Sequence, residues 1–173
     1  MRRASDLLGM PVIDAEKCQV GTVHEVLASI GRSRIEGLLV SGKPLAEQGV
    51  IAAAGGVHLG AESVQLGRGQ AVLDKEAAAR LRRDNLTLEA VRKLTVRTSA
   101  GTRLGNVEDL ILDGWRIAAL ELSDGLLQDI FQGRQTLSLS RQFRLEGEEI
   151  IVPPDTVPRE PAPKGEWLHE QGY

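Results

Sequence analysis

Cysteine is almost absent. Cys18 stands alone, which rules out an intramolecular disulfide and any cysteine-built metal cluster. Aromatic residues supply only 3% of the chain, so its cores have to be assembled from Leu, Val, Ile and Ala within a hydrophobic share of 42%. No apolar run approaches the roughly 20 residues that cross a bilayer. Arg2 and Arg3 ahead of Leu7 and Leu8 look like the start of a leader, but Gly9, Pro11 and Asp14 break the stretch before it reaches usable length. An excess of one charge is missing as well: the net charge is −3, and residues 1–73 balance their acids and bases. No segment therefore carries the electrostatic footprint of bulk nucleic-acid binding. These absences lead us to expect a soluble, cytoplasmic protein.

What is present is present twice. Val20-Gly21-Thr22-Val23-His24-Glu25-Val26-Leu27 returns as Leu104-Gly105-Asn106-Val107-Glu108-Asp109-Leu110-Ile111, displaced by 84 positions. Met10 and Val12 pair with Leu94 and Val96 at the same spacing. Arg34–Val40 matches Arg116–Leu122 if the first turn is two residues longer. Val64-Gln65-Leu66 matches Phe143-Arg144-Leu145, and the ends Ala71-Val72-Leu73 and Ile150-Ile151-Val152 follow. A unit of about 75 residues has been duplicated. Units of that size bury only about 60% of their unfolded surface, so each should lean on its twin.

Within each copy the apolar spacing is that of strands, and no helical period runs through it. Gly31-Arg32-Ser33 predicts a turn between Val20–Ile30 and Arg34–Ser41, and Asp113-Gly114 predicts a tighter hairpin in the second copy. Gly21 and Gly105 fall at the same point of a strand, where glycine permits a bulge or sharp bend. Between the copies, Glu76-Ala77-Ala78-Ala79-Arg80-Leu81-Arg82-Arg83 predicts a short helix with Ala77 and Leu81 on its apolar stripe. Beyond Val152, Pro153, Pro154, Pro158, Pro161 and Pro163 predict an extended, flexible tail in which Trp167 is the one large apolar group.

The duplicated unit resembles the PRC-barrel domain. Three segments carry the likeness: Ser5-Asp6-Leu7-Leu8-Gly9-Met10-Pro11-Val12, the pattern Gly21-Thr22-Val23-His24-Glu25 with Gly105-Asn106-Val107-Glu108-Asp109, and Arg34-Ile35-Glu36-Gly37-Leu38-Leu39-Val40. The resemblance implies a small six-stranded, largely antiparallel β-barrel for each copy. It places the chain beside the cytoplasmic part of the photosynthetic reaction-centre H subunit and the C-terminal domain of a ribosome maturation factor that contacts a ribosomal protein. It brings no family-wide catalytic residues. Two departures stand out: Ser29 where the second copy has Asp113, and Glu25 in place of the commoner Asp.

Candidate chemistry is thin. His24-Glu25 has the ingredients of an acid–base pair, yet neighbours on a strand point to opposite faces and would not converge. His58 and His169 are too isolated to supply the converging ligands of a zinc site. Cys18 beside Lys17 has no partner base and reads as a bystander thiol. Gly55-Gly56 and Gly67-Arg68-Gly69 lack the lysine and hydroxyl of a phosphate loop and read as turns. Arg80, Arg82 and Arg83 form the densest basic patch, but acids flank them and no aromatic residue interleaves, so a solvated helix face is the simpler account.

The sequence thus predicts an all-β protein: a first barrel over residues 1–75, a linker helix over 76–87, a second barrel over 88–153 and a flexible tail over 154–173. The expected function is a non-enzymatic, cofactor-free binding or assembly module working through protein–protein contact. An RNA- or ribosome-associated processing role is the alternative, and peripheral membrane association stays open through the H-subunit likeness. The candidate partner surface is Leu126, Leu127, Ile130 and Phe131, whose spacing outlines one face of a short helix closed by Gly133. That face either plugs a barrel mouth or the seam, which small domains need, or docks another protein. As a plug, Phe131→Ala removes a buried ring and lowers stability by roughly 3–5 kcal/mol in a thermal melt. As a docking surface, the same change leaves the melt nearly unaltered and costs about 2 kcal/mol or more of partner affinity.

Overall fold

The computed structural model describes residues 1–42, 45–53, 55–69, 72–123, 135–139 and 143–159. The segment Leu126–Phe131 and the tail beyond residue 159 lie outside the described residues. The chain is mostly strand: β1 (Arg2–Arg3), a 3-10 turn at Ala4–Leu7, β2 (Pro11–Ile13), β3 (Gln19–Ser29), β4 (Arg34–Gly42), β5 (Leu45–Ala52), β6 (Val57–Leu59) and β7 (Val64–Leu66). Helix α1 (Lys75–Asp84) follows, then β8 (Leu86–Thr87), the short α2 (Leu88–Val91), β9 (Thr95–Thr98), β10 (Arg103–Asp113), β11 (Arg116–Ser123), β12 (Gln135–Ser138), β13 (Arg144–Glu146) and β14 (Glu149–Val152).

Each copy is a meander whose last strands return to its first. In the first, β2, β3, β4 and β5 pair antiparallel in sequence order, and β7 comes back parallel to β2. In the second, β9, β10, β11 and β12 do the same, and β14 comes back parallel to β9, so β7 answers to β14 and Val64 to Ile150 rather than to Phe143 as the sequence match had it. The hairpin turns differ as the sequence predicts. Gly114 takes a left-handed conformation (φ 59°) in the tight turn that pairs Asp113 with Arg116. The longer turn of the first copy places Ser33 there instead (φ 52°).

Three register shifts recur at equivalent positions. One lies at Val20 and Leu104, beside Gly21 and Gly105. Another leaves His24 and Glu108 as extra residues in β3 and β10. The last leaves Glu36 and Ala118 extra in β4 and β11. Such bulges bend a strand and re-aim the side chains that follow.

One expectation needs changing. The sequence predicted a small closed barrel for each copy, leaning on its twin; the described strands belong to one 14-stranded hydrogen-bonded sheet. That sheet is not closed, since no ladder joins β5 to β6 or β12 to β13 among the described residues. The copies join because β4 pairs with β11 at Arg34 and Arg116, the feet of the two hairpin turns. Buried apolar residues of both copies accordingly form one continuous core, including Val26, Ile35 and Leu38 with Leu110, Ile117 and Leu120. A protein with so few aromatic side chains gains from pooling its aliphatic ones in this way.

Along β3 and β4, Val26, Ala28, Leu38 and Val40 face that core. Their neighbours Leu27 and Leu39 face the other way, and with Val50 they form a second small cluster covered by Leu73, Ala78 and Leu81. Both sheet faces are buried here, which explains the unbroken apolar run. Asp74 caps α1 by accepting the amide of Ala77 at 2.8 Å. Two glycines let the linker lie close: a Cβ built on Gly37 would stand 2.5 Å from Leu81 Cδ2, and one on Gly49 would stand 2.6 Å from Val72 Cγ1.

Gly37→Val should therefore displace α1. The Ile51 carbonyl, 3.1 Å from the same position, leaves the new side chain no second exit. Overpacking of this kind costs about 1–3 kcal/mol. Urea denaturation should show that loss, and limited proteolysis should cut within Lys75–Asp84 sooner than in the parent chain.

Candidate functional site

Among the described residues, the seam between the copies gathers the buried carboxylates Asp109 and Glu121 and the polar contacts longest in sequence range. It begins with a crossing of arms. Strand β1, the start of the first copy, pairs with β10 of the second through Arg2–Leu112 and Arg3–Ile111. Strand β8, the start of the second copy, pairs with β3 of the first through Leu86–Ala28 and Thr87–Leu27. Each arm then turns once and buries its apolar side chains, Ala4 and Leu7 on one side and Leu88 and Val91 on the other.

An acid follows the His24/Glu108 bulge in each copy and meets the incoming arm. Glu25 Oε1 accepts the amides of Val26 at 2.8 Å and Leu88 at 3.2 Å. Asp109 Oδ1 accepts those of Leu110 at 2.8 Å and Ser5 at 3.2 Å, and the Ser5 hydroxyl donates to Oδ2. A carboxylate is a suitable acceptor there, because the first amides of a helical turn have no partner within it and carry partial positive charge.

The two joints differ beyond that acid. At one, Glu121 stands opposite Asp109 on β11, and both carboxylates are almost fully buried, at 1% and 3% exposure. Arg3 pairs with Glu121 through its guanidinium: Nη2 donates to Oε1 at 2.8 Å, and Nε lies in ion-pair contact with Oε2 at 2.8 Å. Arg92 reaches Asp109 Oδ2 at 3.5 Å and donates through Nε to the Glu108 carbonyl at 2.8 Å. At the other joint Leu39 takes the place of Glu121 opposite Glu25, under the apolar cover of α1. One joint is charged and the other is greasy. Between them, Trp115 packs on the core and donates its indole N–H to the Val57 carbonyl at 2.9 Å.

The residues flagged in the sequence are scattered around this seam. His24, on its bulge, is exposed, while Glu25 turns inward, so the pair diverges. His58 and Cys18 are exposed, the latter in a loop tied by Asp14, which accepts its amide at 2.8 Å. No three His, Cys, Asp or Glu side chains converge as metal ligands among the described residues. Arg80, Arg82 and Arg83 lie exposed on α1, where Glu76 pairs with Arg80 at 3.6 Å and Asp84 with Arg83 at 3.3 Å. Leu126, Leu127, Ile130, Phe131 and His169 fall outside the described residues.

Sequence reasoning missed Arg3, Ser5, Arg92 and Glu121. The signal for Glu121 was its departure from Leu39 between the apolar pairs Leu38/Leu120 and Val40/Leu122. Arg3 and Ser5 gave none, because their partners lie more than 100 positions away.

A family model described as PRC-barrel domain matches the chain twice, over residues 1–78 and 84–157. No curated protein matches the chain.

The charged joint makes opposite forecasts for its two ends. Arg3→Ala takes a guanidinium away from a buried carboxylate and should lower stability by roughly 1–3 kcal/mol, less than for a fully buried pair because Arg3 is partly exposed. Glu121→Leu copies the other joint and should stay within about 1 kcal/mol of the parent, or exceed it. Urea midpoints of both variants check the contrast.

Proposed function

Because the chain belongs to the PRC-barrel domain family twice over, we propose that it is a non-enzymatic binding and assembly module acting through protein–protein contacts. In this reading each copy's six main strands curl into a barrel-like unit, and the two units act as one scaffold. The observation that carries it is how the seam uses its polar groups. The Arg3–Glu121 pair, the Ser5–Asp109 contacts and the Leu88–Glu25 bond all hold arm to hairpin. Groups spent on fixing a frame position its outer walls for a partner, which makes the frame a platform. The RNA- or ribosome-associated alternative draws less support, because Glu76 and Asp84 offset charge within the Arg80, Arg82 and Arg83 patch.

Affinity capture with the full chain should recover a protein partner in near-stoichiometric amount that survives ribonuclease treatment. Replacing Arg80, Arg82 and Arg83 together by Glu should leave that recovery unchanged. Recovery of RNA alone, lost in the triple variant, would instead establish the alternative.

A further inference from the structure

We infer that the seam is a self-complementary, isologous interface: the chain is a homodimer written into one polypeptide, and the surface each copy buries is built to receive a second copy of the same unit. The contacts come in mirrored sets. Shifting Arg2–Leu112 and Arg3–Ile111 by the repeat spacing of 84 gives Ala28–Leu86 and Leu27–Thr87, which are the pairs observed at the other joint. The acid contacts follow the same rule: Val26 and Leu88 meet Glu25 as Leu110 and Ser5 meet Asp109, with one residue of slip in the arm.

The centre obeys it too. Ile35 donates its amide to the Trp115 carbonyl at 2.8 Å, and Ile117 donates to Ser33 at 2.8 Å. Under the spacing that relates the two hairpins each of these bonds is the image of the other. A two-fold axis therefore passes between Arg34 and Arg116, which are each other's counterparts and face each other across it.

That pattern separates a dimer interface from mere neighbourhood. Two units strung on a chain need not meet through equivalent surfaces, and a head-to-tail contact would leave one copy of each surface unused at either end. In an isologous contact residue i of one unit meets j of the other and j meets i, so both copies of the surface are consumed and the assembly closes at two. Helix α1 then tethers the halves, and the non-covalent seam holds them. The homotypic surface is already filled by the twin, so an outside partner has to dock elsewhere, on the outward walls.

Cutting the tether in the full chain tests this. A protease recognition sequence inserted after Asp84 lets α1 be severed from β8 while both halves remain present. With Trp167→Phe as background, Trp115 emission reports the seam. The cut protein should run as a one-to-one particle at micromolar concentration with the emission of the uncut chain. Its urea midpoint should climb with concentration, as mass action requires of a two-body fold. Trp115→Ala, followed by sizing in place of emission, should weaken reassociation roughly tenfold or more while the uncut variant still folds. Concentration also rescues the experiment if the cut chain unfolds when dilute, because a bimolecular seam refolds as concentration rises. A midpoint independent of concentration, or halves that separate with their strand signal intact, would overturn the inference.

Discussion

Each copy lends its first residues to the other copy's hairpin, and the rest of the structure depends on that loan. Arg2–Leu7 alone could bury almost nothing. Laid along β10, they complete a sheet edge, and Ala4 and Leu7 close the core beneath it. The reciprocal arm does the same for β3. Backbone ladders, helical-turn amides and apolar side chains are thus satisfied by residues of the opposite copy. Two aliphatic half-cores, each too small to be secure alone, become one continuous interior.

Around this shared frame the copies have drifted apart on their outer faces. The first presents Gly37, Leu39 and Gly49, a surface low and apolar enough for α1 to lie against it. At the corresponding ladder positions the second has Ala119, Glu121 and Gln135. There the cover comes partly from charge, with Arg3 clamped on Glu121 and Arg92 near Asp109. Further along, Arg159 exchanges both backbone hydrogen bonds with Thr136 on the edge of β12, at 2.7 and 2.8 Å. The linker segment approaches the equivalent edge of the first copy through the Leu73 amide and the Val50 carbonyl.

Much of the fold was legible because it repeats. Gly21 and Gly105 marked bulges, Asp113-Gly114 marked a tight hairpin, and the alanine-rich run marked the helix; each is a local signal that needs only a few neighbouring residues. The acids at Glu25 and Asp109 were visible as a repeated position, though not as partners of distant amides. The site itself was hidden for a physical reason. Arg3 and Ser5 carry no periodicity of their own, and which sheet edge an arm completes is decided by surface fit across more than 100 residues of chain. The same limit hid how the copies join, since strand pattern specifies pairing within a meander and is silent on which hairpin feet meet.

The lone Arg3–Glu121 clamp has an implication for inheritance. In an assembly of two identical chains every substitution is made twice, so a charge pair cannot be installed at one contact without appearing at its mirror image. Here Arg3 belongs to one half of the gene and Glu121 to the other, while their counterparts are Thr87 and Leu39. With both halves in a single chain, no such obligation to change in duplicate applies. One contact carries a salt bridge while the other stays apolar, and the molecule has a distinguishable front and back.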